Sequence, residues 1–94
     1  MMLVRSVSTI EKSMMERNSE ELDAGEGELI NCIATTKRAH GANSMEACDV
    51  SELVAMFQGS VRRDYNNAGK INFLENVKKC RAKIEIVKIV FKDI

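Results

Sequence analysis

Phe73, Val77, Cys80, Ile84, Val87 and Phe91 recur at intervals of 4, 3, 4, 3 and 4, the longest unbroken apolar seam in the chain. That spacing lines up one face of a helix. The face must be buried, either within the chain or against a second copy. Leu74 and Val90 widen it, and Asn72-Phe73-Leu74-Glu75 at its head reads as a capping box that opens a helix. The second half of the seam also admits a strand. Lys83 to Phe91 is dense in β-branched residues, namely Ile84, Ile86, Val87, Ile89 and Val90. Met2–Val7 is then its partner in a two-stranded ribbon. Strict alternation breaks at Val87, which favours the helix.

Upstream the same periodicity returns in shorter pieces. Leu3, Val7, Ile10 and Met14 form a seam, and Ser8-Thr9-Ile10-Glu11 is a capping box that starts the first helix at Ser8. Residues 2–7 are then an arm or a short strand. Glu16 to Glu21 is polar all round, which predicts that the first helix frays or is solvated there, and Gly25-Glu26-Gly27 reads as the first break. A second helix follows on Leu29, Ile30, Ile33 and Ala34. It ends with Lys37, Arg38 and His40 in its last turn and Gly41 as a left-handed (αL) cap. Asp49-Val50-Ser51-Glu52 is a further capping box, followed by Val50, Leu53, Val54, Phe57, Val61 and Tyr65 on one face. Gly59 marks a close helix crossing or a break, and Asn66-Asn67-Ala68-Gly69 ends the element.

Residues 1–94 suffice for one domain. The fold class expected is mainly α, a compact bundle of three to four helices. The alternative is an α+β arrangement in which the terminal segments form the short ribbon. The complete lack of proline suits the bundle, because average usage would give about four or five. With three Phe, one Tyr and no Trp, the core is built mainly from aliphatic residues and some of the six Met.

Little in the chain points to chemistry. Cys32, His40, Cys48 and Cys80 stand too far apart for the short paired spacings of structural zinc sites. Cys80 reads as a core residue, Cys32 and Cys48 as half-buried bystanders. A single His leaves thiol or serine nucleophiles without an evident base. Gly25-Glu26-Gly27 lacks the Lys-Ser/Thr of a phosphate loop and carries acid where phosphate would sit. The chain is therefore read as no enzyme, with no metal and no cofactor. An odd cysteine count and the lack of an apolar leader or membrane span set the expectation of a cytoplasmic protein with reduced thiols and no membrane partner.

Charge carries the remaining signal. The chain is neutral overall, but residues 1–49 hold five Lys/Arg against nine Asp/Glu, and residues 50–94 hold nine against five. Lys78, Lys79, Arg81 and Lys83 begin a basic stretch in which Lys78, Arg81, Glu85 and Lys88 share a helical stripe. Arg62, Arg63 and Tyr65 form a second cluster with Asn66 and Asn67. These seven basic and aromatic residues are the candidate binding site. The stripe either meets a partner or answers the acidic half within the fold. The function expected is a small non-catalytic protein-interaction module of adaptor, chaperone or inhibitor type, binding a macromolecular partner as a homodimer. The alternative is nucleic-acid or nucleotide binding through the basic C-terminal segment. Neutral charge and few aromatics weigh against that alternative.

Overall fold

Ser8 opens the first helix as its pattern requires. Its Oγ accepts the Glu11 N–H at 3.2 Å, and its own N–H donates to Glu11 Oε1 at 3.1 Å. The structure is a computed structural model and describes residues 8–92. Helix α1 spans Thr9–Glu16 and buries Ile10, Ser13 and Met14. The polar stretch after it forms a sharp corner between two helices. Arg17 takes a left-handed conformation (φ 50°), and Asn18 caps helix α2, Ser19–His40, by accepting the Glu21 N–H at 2.8 Å.

α2 runs unbroken through Gly25-Glu26-Gly27, contrary to the expected break. Its buried line is Leu22, Gly25, Leu29, Cys32 and Thr36, again at intervals of 3 and 4. Ile30 is half exposed and Ala34 exposed, so the inner face is rotated from the one expected. Gly25 lies on that line because α1 crosses there. A Cβ at Gly25 would stand 2.6 Å from Ser13 Oγ and 3.2 Å from Ser13 Cβ. The glycine is thus a point of close approach inside a helix, and packing offsets its poor propensity. The helix stops at Gly41 as expected, its N–H donating to the Lys37 carbonyl at 2.8 Å, but Gly41 takes an extended backbone at positive φ (φ 104°, ψ 147°) and not the left-handed helical cap expected.

Helix α3, Met45–Met56, starts one turn earlier than the Asp49 pattern suggests, because Ser44 Oγ accepts the Ala47 N–H at 3.1 Å. It passes into a π-helical segment over Phe57–Arg63. The Phe57 N–H is shared between the carbonyls of Leu53 and Val54, and the Asp64 N–H reaches the Gly59 carbonyl at 2.8 Å. Gly59 lies inside this wide turn and marks no close crossing. A Cβ there would meet only the end of the Arg63 side chain.

Helix α4 spans Asn67–Arg81 and helix α5 Glu85–Val90. Asn66, not Asn72, caps α4 through Oδ1, which accepts the Gly69 N–H at 2.6 Å. The expected final helix is therefore longer at its start and interrupted near its end. The N–H groups of Lys83 and Ile84 both turn back to the Cys80 carbonyl, at 3.1 and 2.8 Å. Yet all six residues of the opening seam are buried. The break changes the direction of the chain and keeps its inner face. No strand occurs among the described residues. The β-branched stretch is a helix that packs on α2 and α4. The ribbon's other strand, residues 2–7, lies outside the described residues.

The result is a mainly α-helical bundle. α1 packs on α2, α2 on α3, and α4 on both α3 and the π segment. Phe57, Phe73 and Phe91 link the π segment, α4 and the chain after α5. Their ring centroids are 5.8 and 6.0 Å apart in tilted and edge-on arrangements.

The two α2 glycines give opposite expectations. Gly27→Ala meets nothing within 4 Å and should raise stability by up to about 1 kcal/mol, a few degrees in Tm. Gly25→Ala drives a methyl into Ser13 and should lower it, because overpacking costs roughly 1–3 kcal/mol. Thermal unfolding of both variants checks this. Equal stabilisation by both would show that α1 does not cross α2 at Gly25.

Candidate functional site

The seven residues expected to bind are dispersed, and most of their charge is engaged within the fold. Gln58 and Arg62, four apart on the π segment, both turn toward α2. Arg62 donates to Asp23 and to Glu26, and Gln58 donates to the other oxygen of Glu26. These carboxylates hold the Arg62 guanidinium still more firmly protonated, with the Asp23 hydrogen bond the largest cause. Arg63 points elsewhere, exposed and 3.7 Å from the Asp64 carboxylate. The Tyr65 ring lies 4.1 Å beneath the guanidinium of Arg17, and its hydroxyl donates to Asn67 at 3.3 Å. Arg17 also donates to the Val61 carbonyl. The corner between α1 and α2 is thereby fastened to the π segment.

The basic stripe does not survive as one surface. The helix break between Arg81 and Glu85 takes Glu85 and Lys88 out of line with Lys78. Arg81 turns inward and donates to the Lys92 carbonyl at 2.9 Å. Lys83 sits 2.8 Å from Asp49, whose hydrogen bond raises its pKa. The contacts of Arg62 and Gln58 with α2, and of Lys83 with Asp49, each join the acidic half to the basic half. Arg62 and Lys83 thus answer three of the nine carboxylates of the acidic half, on α2 and α3. Lys70, Lys78 and Lys79 are different. They form no ion pair among the described residues.

Two of these lysines flank a groove between α1 and α4. Glu11, Met14 and Met15 form one wall, and Lys70, Leu74 and Lys78 the other, around about 380 Å³. Met15 is 72 % exposed at its edge, and Ile71 on the neighbouring turn is 56 % exposed. Glu11 spends Oε1 on the Ser8 cap. The residues around the groove include no nucleophile with a base. It can receive an apolar side chain and present opposite charges on its two walls. Sequence reasoning singled out Met14 and Lys78 but passed over Glu11–Met15 and Lys70–Leu74–Lys78 as i, i+4 runs. That spacing was the available signal.

Cysteine chemistry is confined to one accessible thiol. Cys32 and Cys80 are buried, and Cys48 is exposed, so neither Cys32 nor Cys48 is the half-buried bystander expected. Burial pushes the Cys32 thiol from 9.0 up to about 11, and burial followed by the Asp49 carboxylate raises that of Cys80. His40 lies 3.8 Å from Glu46. The described residues contain no group of three or more His, Cys, Asp or Glu placed to hold a metal ion. They also contain no helix long and apolar enough to cross a membrane. Comparison with family models, curated proteins and solved structures returns no match.

Thiol labelling reads this arrangement. Cys48 should react at once under native conditions, and Cys32 and Cys80 only on unfolding. Because the folded-state pKa of Cys32 lies above its unfolded value, its contribution to stability is complete below pH 9.0. It is lost as the pH climbs toward about 11. Denaturant midpoints across that range should fall. Rapid native labelling of all three thiols would refute the burial.

Proposed function

We propose that this protein is a small non-catalytic interaction module of the adaptor, chaperone or inhibitor kind, which works as a homodimer and holds a macromolecular partner. One observation carries the reading. Arg62 and Lys83 of the basic half are committed to Asp23, Glu26 and Asp49 of the acidic half, while the α1–α4 face keeps an apolar groove, unpaired lysines and an exposed methionine. Surfaces of that composition serve contact, not chemistry. The buried thiols fit a reducing compartment, and we place the module in the cytoplasm.

The nucleic-acid reading has less support. It keeps Lys78 and Lys79, but Arg62 and Lys83 are committed to carboxylates and Arg81 to a backbone carbonyl. Phosphate contacts make binding fall steeply with salt, so a low-salt titration separates the two readings. Immobilised protein should retain a protein partner from the source-cell extract at physiological salt, with nuclease present. Single- and double-stranded probes should give flat titrations at low salt. Salt-sensitive retention of polynucleotide alone would overturn the module reading.

A further inference from the structure

The homodimer invoked above needs a surface, and the following inference rests on that reading. The groove carries both halves of a self-complementary contact. Its α1 wall offers Glu11 and, one turn on, the projecting Met15. Its α4 wall offers Leu74 with Lys70 one turn before and Lys78 one turn after. One helical turn of four residues advances about 6 Å on either wall. Glu11 and Met15 are therefore spaced to meet a lysine and Leu74 on a second copy. A two-fold axis makes the same contact twice, because the patch on one copy is the patch on the other. Glu11 keeps Oε2 beyond its capping bond, and neither lysine has an ion partner among the described residues. Met15, with Met14 buried behind it, supplies the adaptable apolar surface that such a contact uses.

We propose that the α1–α4 groove is the homodimer interface, with Met15 of each copy seated against Leu74 of the other and Glu11 facing Lys70 or Lys78. A foreign protein lacks this reason to match both walls at once. A wholly acidic partner would meet Glu11 unfavourably, and a basic one would meet both lysines. The smallest stable interfaces cover about 600 Å² per copy, roughly a ninth of this chain's 5518 Å² surface. A dimer on this groove must therefore extend along the exposed sides of α1 and α4, Ile71 among them.

Sedimentation velocity from about 1 μM to about 1 mM tests the proposal. The wild-type chain should pass from monomer to dimer in that range. Met15→Glu should weaken pairing at least about tenfold, with helical circular dichroism unchanged because the side chain is exposed. Met45→Glu, equally exposed but outside the groove, should pair like wild type. Charge gives the sharper result. Lys70→Glu/Lys78→Glu and Glu11→Lys should each pair poorly alone and should pair with one another when mixed, since every facing couple is then opposite in sign. A wild-type dimer that Met15→Glu leaves intact would overturn the groove assignment and spare the homodimer. A monomer throughout would overturn both, and would give the groove to a foreign protein.

Discussion

Phe73 is the residue on which the rest of the packing depends. It is fully buried on α4, with its ring in contact with those of both Phe57 and Phe91. Those three rings are the only Phe in the chain, and they come from the π segment, α4 and the segment after α5. A core this small has few large side chains, so the elements that carry them must converge. That convergence explains two departures from regular helix. The π turn lets Phe57 and Val61 stay buried while Gln58 and Arg62 reach α2. The break after Arg81 lets Ile84, Val87 and Phe91 stay buried while the chain changes direction.

The close crossing at Gly25 and the aromatic ladder fix different parts of the bundle. The crossing sets α1 against the first half of α2. The ladder sets α4 and the C-terminal turn against α3's continuation. The Arg17 corner connects them, because its guanidinium reaches the Val61 carbonyl and covers Tyr65. Arg17 accepts a left-handed backbone that costs a non-glycine residue roughly 1–2 kcal/mol. A hydrogen bond from a charged donor and a cation–π contact are of the size needed to offset it.

Signals held in adjacent residues were legible in the sequence. The Ser8–Glu11 box, the Gly41 stop and the apolar seam from Phe73 to Phe91 each stand where expected. The failures share one cause. Gly25 looks like a breaker until the approach of Ser13 is known, and Asp49 and Asn72 look like caps because their side chains could serve. Asp49 instead meets Lys83, and the actual caps, Ser44 and Asn66, stand before helices whose first turns are weakly apolar. Local pattern cannot rank two possible caps on one helix when tertiary contacts decide between them. The seam remained readable because burial preserves the inward positions even where the helix carrying them is interrupted.

The candidate site shows the same division. Arg62 and Lys83 were singled out for being basic, but basic residues near one another in sequence say nothing about the carboxylates that fold against them. Once Asp23, Glu26 and Asp49 take their partners, what distinguishes a cation is the absence of an opposing charge. Lys70 and Lys78 meet that criterion, and Leu74 between them gives the lysines an apolar neighbour. The acidic residue across the groove, Glu11, answers one of the two lysines, so the patch carries both signs with one positive charge in excess. A surface with both signs at matched spacing is poorly suited to a uniformly charged ligand and well suited to its own two-fold image. The acidic-to-basic polarity of the sequence thus has two uses: Arg62 and Lys83 close the bundle on Asp23, Glu26 and Asp49, and Glu11, Lys70 and Lys78 stay open to a second copy.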